Sequence, residues 1–180
     1  MNDLNFYNID LKYIRNLAKS DDNVMSISPQ IQKANRPFLG VIVLINYQQY
    51  CIPLTSPKPK FLNKKSSVDF IKIFDNKQDP ATTSSKIIGI LNINNMIPVN
   101  KFVIHKVHLE ITKHDSLESQ RYKTLMQKQL AWCREHSETI YSRANKVYSL
   151  VINFPEKNRN LTRRCVDFRK AEEVLAAYHS

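Results

Sequence analysis

Residues 37–54, PFLGVIVLINYQQYCIPL, are the stretch that decides the fold. A continuous apolar run is followed by a turn near Asn46 and then by a second short apolar segment. Two such runs around a turn are typical of a β-hairpin. Because Val41, Ile42 and Val43 do not alternate with polar residues, we expect the first strand to be buried on both faces, as in a small closed barrel.

The segment before this hairpin predicts a strand and then a helix. Residues 6–9 (FYNI) are strand-like. Leu11, Ile14 and Leu17 then recur at helical spacing. Asp10 lies just before them and is a residue type that caps helix N-termini.

Strand patterns continue after the hairpin as far as about residue 112. Apolar and polar residues alternate in residues 68–74 (VDFIKIF), which predicts a strand with one solvent-facing side. Two more strand regions are predicted in residues 86–99 and 102–111.

The last third of the chain has the periodicity of helices. Helices are predicted over residues 116–136, 137–153 and 161–178, with Ser116 as a weak N-cap of the first and Ser137 as N-cap of the second. We expect their apolar stripes to face the core. The stripe residues are Leu125, Leu130, Cys133, Ile140, Ala144, Val147, Val151, Leu161, Cys165, Phe168 and Leu175.

Length and cysteine content favour a single intracellular domain. A chain of 180 residues is most simply one domain, residues 1–180, with an α+β fold whose strands lie mostly in residues 4–112 and whose helices lie mostly in residues 116–178. The three cysteines form no CxxC pair, so we expect buried thiols in a reducing cytoplasm and no zinc site. No apolar run approaches the roughly 18 residues of a membrane span.

The formal net charge of +11 is the first indication of function. Such an excess favours polyanionic partners, with nucleic acid ahead of an anionic membrane surface. Because the sequence has only two glycines, it contains no Gly-rich phosphate-binding loop. It also lacks the GxSxG and HExxH motifs and a DxD-type cluster that would hold magnesium.

The loop after the hairpin, within residues 51–61 (CIPLTSPKPKF), is the remaining candidate for chemistry. It carries Thr55, Ser56 and Lys58, and prolines on both sides of Lys58 stiffen the backbone. RNA contains its own nucleophile, the 2′-hydroxyl, so a protein that cleaves it needs to supply only positioning, charge stabilisation and proton transfer. Hydroxyls and a lysine meet these needs without a metal. An ordinary proline-rich turn on a basic protein would have the same composition.

The chain closely resembles the ToxN/AbiQ family of bacterial type III toxins, and most of all its CptN-like branch. The segments that carry the resemblance are, in order, FYNIDLKYI (6–14), RPFLGVIVL (36–44), YCIPLTSPK (50–58), GILNINNMIPV (89–99) and YKTLMQKQLAWCREHSETI (122–140).

This resemblance implies a MazF-like, SH3-like barrel elaborated by helices. It implies a sequence-selective endoribonuclease that needs no metal or other cofactor and leaves a 2′,3′-cyclic phosphate and a 5′-hydroxyl. The implied partners are cellular or phage RNA as substrate and a repeated, folded antitoxin RNA of pseudoknot type, which the toxin processes. Toxin and RNA units would alternate in a closed assembly, and the freed toxin would arrest growth or defend against phage.

The resemblance also implies the catalytic residues. Thr55, Ser56 and Lys58 match the catalytic loop of the family. A lysine needs no pKa shift to donate a proton, so we expect Lys58 to be the acid and charge stabiliser, and the general base is left open. Tyr13 matches a tyrosine of the first helix that approaches the scissile phosphate, and nearby cations are expected to lower its pKa. Arg36 falls where some members have a lysine, and it keeps the charge but cannot shuttle protons. Lys33 is the alternative for that basic position.

Further basic and aromatic residues are expected to contact RNA. Lys33, Lys60, Lys64 and Lys65 are candidates for phosphate contacts, and Tyr47 is a candidate for stacking on a base. Phe61 is a second candidate for stacking on a base, although packing in the core is the favoured expectation for it. A second basic cluster, which fits either a structured RNA or solvated surface, comprises Arg163, Arg164, Arg169 and Lys170.

Two other functions fit the same residues. One is a non-catalytic RNA- or DNA-binding module with the same basic loop. The other is a MazF-like ribonuclease governed by a protein antitoxin.

Overall fold

The computed structural model describes residues 4–25, 38–62, 65, 67–75 and 86–178. Its strands are β1 (Phe6–Ile9), β2 (Phe38–Ile45), β3 (Gln48–Thr55), β4 (Phe70–Phe74), β5 (Ile87–Asn92), β6 (Ile97–Val99) and β7 (Ile104–Lys106). Its helices are α1 (Leu11–Ser20), α2 (Pro59–Leu62), α3 (Leu117–Glu135), α4 (Ser137–Asn153), α5 (Arg159–Thr162) and α6 (Phe168–Ala176). The predicted α+β class is confirmed.

The predicted hairpin of β2 and β3 is confirmed and lies in the middle of the sheet. The two strands pair antiparallel from Gly40 opposite Pro53 to Ile45 opposite Gln48. The turn residues Asn46 and Tyr47 have φ of 47° and 66°. Both values lie in the left-handed region that a two-residue hairpin turn matched to the strand twist requires, and asparagine adopts it readily.

Gly40 permits the close approach of β2 to β3. A Cβ atom at this position would lie 2.2 Å from the backbone oxygen of Ile52 and 2.6 Å from Sγ of Cys51. Real Cβ atoms do not come so close to backbone atoms, so only glycine fits without moving a strand.

The sheet is open among the described strands, and the predicted MazF-like barrel is not confirmed. The strand order is β4-β5-β3-β2-β1-β7, with β6 paired to β3 as a branch. Every pairing is antiparallel. Within the part of the chain that the structure describes, β4 and β7 are the two edges and do not pair with each other.

The predicted strand and helix before the hairpin are confirmed as β1 and α1. Asp10 caps α1, because its side chain accepts a 2.8 Å hydrogen bond from the Tyr13 N–H. Burial raises the pKa of Asp10, but hydrogen bonds from Tyr13 and Tyr178 outweigh it and leave the pKa below its ordinary value. Leu17 is fully buried on the inner face of the helix.

The prediction that β4 has one solvent-facing side is wrong. Its residues from Phe70 to Ile73 are all buried, and Lys72 is only 8% exposed. The reason is that α3 packs on β4 and β5 and covers the face that alternation assigned to water. A 2.7 Å ion pair between Lys128 of α3 and Asp75 fastens the helix there.

The helical stripes are confirmed with one exception. All predicted stripe residues are buried except Leu125, which is 38% exposed because it lies on the outer face of α3. The predicted N-cap Ser116 accepts a 3.1 Å hydrogen bond from the Ser119 N–H. The predicted cap at Ser137 is wrong, since α4 already begins at Ser137 and His136 precedes it.

Two predicted elements are shorter than their sequence patterns. The helix expected over residues 161–178 is divided into α5 and α6, because Asp167 caps a new helix with a 3.2 Å bond from the Lys170 N–H. Of residues 102–111, only Ile104–Lys106 form a strand.

Strands and helices share one hydrophobic core. Tyr50 of β3 packs edge-to-face on Phe168 of α6 with ring centroids 5.8 Å apart. Tyr50 and Tyr148 both donate hydrogen bonds to the Glu172 carboxylate, which ties α6 and α4 to the sheet. No helix among the described residues is long and apolar enough to cross a membrane.

The prediction of buried thiols is confirmed. All three cysteines, Cys51, Cys133 and Cys165, are free and buried. Burial raises the pKa of Cys133 and of Cys165 to about 12. These thiols therefore belong to the core.

Candidate active site

Thr55 is the last residue of β3, and its hydroxyl is held by the neighbouring strand. Its backbone lies opposite Ile90 of β5. The buried side chain of Asn92 donates a 2.9 Å hydrogen bond from Nδ2 to Oγ1 of Thr55. Because an amide nitrogen cannot accept a hydrogen bond, the Thr55 hydroxyl keeps its own proton to donate outward.

Ser56 and Lys58 follow Thr55 in an irregular loop and are both exposed. The backbone oxygen of Lys58 accepts a 2.8 Å hydrogen bond from the Phe61 N–H, which closes the turn into α2. The structure thus brings the three predicted loop residues together within four positions, with Thr55 fixed by the sheet and the other two open to a large ligand.

The basic residues predicted beside this loop fall largely outside the described structure. Arg36, Lys33 and Lys64 lie outside the described residues, and nothing is described of the Lys60 side chain. Lys65 is described and exposed.

The structure places Tyr13 in the core, which is inconsistent with its predicted approach to the scissile phosphate. Its side chain is fully buried, and its hydroxyl donates a 2.6 Å hydrogen bond to the Pro98 backbone oxygen. Burial raises the pKa of Tyr13 far above its ordinary value, opposite to the lowering expected from nearby cations. In this position the phenol neither reaches an outside ligand nor serves as a base.

Tyr47 is 98% exposed at the tip of the hairpin, away from the loop. The eight residues of β3 separate it from the end of Thr55, which corresponds to about 25 Å along an extended strand. A base stacked on Tyr47 would therefore lie several nucleotides from a phosphate bound at Thr55.

A cleft of about 570 Å³ lies beside the loop and was not predicted from the sequence. We call it the asparagine cleft, and its lining residues are Phe61, Lys65, Ser67, Asp69, Phe70, Asn92, Asn94, Asn95 and Arg164. Because Asn92 both lines this cleft and bonds Thr55, the cleft opens directly next to the candidate loop. Phe61 packs on Phe70, with ring centroids 5.0 Å apart, and stays half-buried.

Two arginines from the helical part fix the wall of the asparagine cleft. Nε of Arg164 lies 2.5 Å from the buried Asp69 carboxylate. Burial raises the pKa of Asp69, but hydrogen bonds from Arg164 and Ser67 outweigh it and lower the pKa below its ordinary value. Arg143 donates to the backbone oxygens of Ser67 at 2.9 Å and Phe70 at 3.3 Å.

The predicted second basic cluster is only partly open to a ligand. All four side chains are exposed, but Arg164 pairs with Asp69 and Lys170 donates to the backbone oxygen of Ser20. Within the described ranges, no group of three or more His, Cys, Asp or Glu side chains is arranged to hold a metal ion.

Sequence comparisons find relatives along nearly the whole chain. The family model described as toxin ToxN of type III toxin-antitoxin systems matches residues 5–176. Endoribonuclease ToxN of Bacillus thuringiensis subsp. kurstaki is 32% identical over 176 residues, which cover 96% of this chain and 83% of the relative. Endoribonuclease ToxN of Pectobacterium atrosepticum is 29% identical over 152 residues, covering 83% of this chain and 82% of the relative.

Solved structures share the fold over the same extent. One, from work on selective toxin inhibition by a non-coding RNA pseudoknot in bacterial type III toxin-antitoxin systems, has a TM-score of 0.79 and 27% identity and covers 98% of both chains. Another is AbiQ, described as a lactococcal anti-phage endoribonuclease of the type III class, with a TM-score of 0.78, 26% identity and 97% coverage of both chains.

Proposed function

The chain belongs to the ToxN toxin family of type III toxin-antitoxin systems, and we propose that it is an endoribonuclease that cleaves RNA at the loop of Thr55, Ser56 and Lys58. The proposed location of the site rests on one observation, which is that the Thr55 hydroxyl is held in a fixed position. Asn92 holds it from behind while Ser56 and Lys58 stand exposed beside it. A preorganised donor next to an exposed ammonium is suited to a phosphate with developing negative charge.

Cleavage proceeds in this proposal by attack of the RNA 2′-hydroxyl on the adjacent phosphorus. The 2′-hydroxyl gives up its proton to solvent water as its oxygen bonds to phosphorus. The bond from phosphorus to the 5′-oxygen breaks, which leaves a 2′,3′-cyclic phosphate and, once the 5′-oxygen is protonated, a 5′-hydroxyl. Thr55 and Ser56 donate hydrogen bonds to the non-bridging oxygens and hold the in-line geometry. No step is assigned to a metal ion.

Proton transfer and charge stabilisation are divided among the basic residues. The Lys58 ammonium group donates a proton to the leaving 5′-oxygen, regains one from water after the cut, and stabilises the charge of the transition state. Arg36, with Lys33 as the alternative, adds positive charge but as an arginine does not shuttle a proton. Tyr13 has a structural role only, because its hydroxyl is used inside the core.

The proposed regulator is a repeated antitoxin RNA that folds as a pseudoknot and is processed by the toxin. Similar proteins support this proposal: one structural relative comes from work on toxin inhibition by an RNA pseudoknot, and another from work on a processed non-coding RNA that regulates an antiviral system. We propose that toxin and RNA alternate in a closed assembly in the cytoplasm, and that released toxin arrests growth or defends against phage.

The decisive experiment combines purification with cleavage. A discrete RNA of repeat length should purify with the chain, and the RNA-free protein should cleave RNA in the presence of EDTA. A 2′-deoxy nucleotide at the cut site should block the reaction. Tight RNA binding without cleavage would support a non-catalytic module instead, and a copurifying small acidic protein would support a protein antitoxin.

A further inference from the structure

We infer, on the basis of the proposed RNA cleavage, that the asparagine cleft binds one nucleotide next to the cut and selects a base with an exocyclic amino group over uracil. The selected bases are adenine, cytosine and guanine. Asn92, Asn94 and Asn95 would make this selection through their side-chain oxygens.

The position and size of the cleft fit one nucleotide. Asn92 connects the cleft to Thr55 through a 2.9 Å hydrogen bond, so a base adjoining a phosphate at Thr55 has direct access to it. The volume of about 570 Å³ lies within the range of roughly 300–1,000 Å³ that is usual for small-molecule sites. The half-buried Phe61 ring offers a flat apolar wall, and unpaired RNA bases stack on such rings.

The hydrogen-bonding character of the cleft follows from how its asparagines are held. The Nδ2 atom of Asn94 donates to the Arg164 backbone oxygen at 3.0 Å, and that of Asn95 donates to the Asn23 backbone oxygen at 2.7 Å. Reversing either amide would set two oxygens against each other, so the orientation is determined. Asn92 uses Nδ2 on Thr55, and the Ile90 backbone oxygen, 3.5 Å from the same nitrogen, favours this orientation because it can only accept.

Each of these three asparagines keeps its Oδ1 as an acceptor. Within the described residues, no hydrogen bond to any of the three Oδ1 atoms is found, and the cleft is therefore rich in carbonyl acceptors. An exocyclic amino group supplies two donors to such acceptors. Uracil has a single donor, its ring N3–H, which lies between two carbonyl oxygens. Where the other bases can present an amino group, uracil therefore places oxygen against oxygen and leaves polar groups unpaired, which costs affinity.

The test uses the wild-type protein and altered RNAs. The cut site is first mapped in an RNA of mixed sequence. Each flanking nucleotide is then replaced by the analogue that lacks only the amino group: purine riboside for adenosine, inosine for guanosine and zebularine for cytidine. We expect one position at which this change slows single-turnover cleavage by about tenfold or more.

Three results would count against the inference. If every analogue RNA is cleaved at the parent rate, or if the mapped site is flanked only by uracils, the cleft does not read an amino group, although RNA cleavage itself stands. If no RNA is cleaved at all, the proposed function fails and the inference fails with it.

Protein variants then locate the discrimination. In the variants Asn94→Ala and Asn95→Ala, cleavage of the parent RNA should slow to the rate of the analogue RNA. The ratio of the two cleavage rates should therefore fall from about ten to near one. Asn145→Ala is the matched control, because its amide also donates to a backbone oxygen, that of Tyr141, but on the exposed face of α4. If the cleft variants fold and this ratio stays unchanged, the assignment of the discrimination to these asparagines is overturned. If the variants do not fold, the series of analogue RNAs cleaved by the wild-type protein still decides the inference.

Discussion

Replacing Tyr13 by phenylalanine separates a structural tyrosine from a catalytic one. Family resemblance implies a contact with the scissile phosphate, whereas the structure buries the side chain completely. The change Tyr13→Phe removes only the oxygen that donates the 2.6 Å hydrogen bond to Pro98. The ring can keep its edge-to-face packing on Tyr178, at a centroid distance of 5.3 Å.

The expected effect is on stability. Leaving the buried Pro98 oxygen without a partner should lower the free energy of unfolding by about 1–3 kcal/mol. At about 2–4 °C per kcal/mol for a chain of this size, the melting temperature should fall by roughly 2–12 °C. The cleavage rate at saturating RNA should change by less than about twofold, because the hydroxyl does not contact the substrate, whereas loss of a general acid or base would cost about a hundredfold or more.

The assay measures both quantities on the same preparations. Thermal unfolding gives the melting temperature, and single-turnover cleavage is measured well below both transitions. Tyr178→Phe is the control, because its hydroxyl makes a 3.0 Å hydrogen bond to the Asp10 carboxylate at a less buried position. A hundredfold loss of rate with a native melting temperature would refute the structural role of Tyr13.

Three further changes test the loop, the cleft wall and the sheet. Lys58→Ala should slow single-turnover cleavage by about a hundredfold or more, since Lys58 acts on the transition state. Lys65→Ala should mainly weaken RNA affinity and reduce the slope of the salt dependence of that affinity by about 0.7; equal rate losses in the two variants would contradict these roles. Asp69→Asn should destabilise the protein at neutral pH. Because the folded pKa of Asp69 is below the ordinary 3.8, the difference from wild type should stay constant above about pH 5 and shrink below pH 4 in urea titrations. Gly40→Ala should lower the free energy of unfolding by about 2–3 kcal/mol, because its Cβ would lie 2.2 Å from a backbone oxygen. Gly89→Ala should cost clearly less, because its Cβ would meet only side-chain atoms, the nearest being Nε2 of Gln129 at 3.0 Å; equal losses in urea unfolding would contradict this.

Features that depend on neighbouring residues could be predicted from the sequence. The hairpin turn at Asn46 and the cap at Asp10 are decided within a few residues, and both are confirmed. The prediction of a solvent-facing side for β4 is wrong because α3 covers that side. The ion pair that fastens α3 joins Lys128 to Asp75, which are more than 50 positions apart in the sequence. Alternation in a short segment contains no information about such a distant cover.

The candidate site shows the same division between local and distant contacts. Thr55, Ser56 and Lys58 adjoin in sequence, so one motif finds them together. Asn92 is 37 residues from Thr55, and its role appears only when β5 pairs with β3. The three asparagines of residues 92–95 have no distinctive spacing, and in sequence they resemble ordinary turn residues.

The basic charge of the chain is divided between holding the fold and meeting RNA. Arg143 and Arg164 bind the segment from Ser67 to Phe70, so two cations of the helical part serve as ties to the wall of the asparagine cleft. Lys58 and Lys65 are exposed, and Lys65 lines the same cleft. The net charge of +11 therefore indicates the class of partner but overstates the number of RNA contacts. Because the salt dependence of affinity counts phosphates neutralised and not net charge, its slope should correspond to a few contacts concentrated at the end of β3.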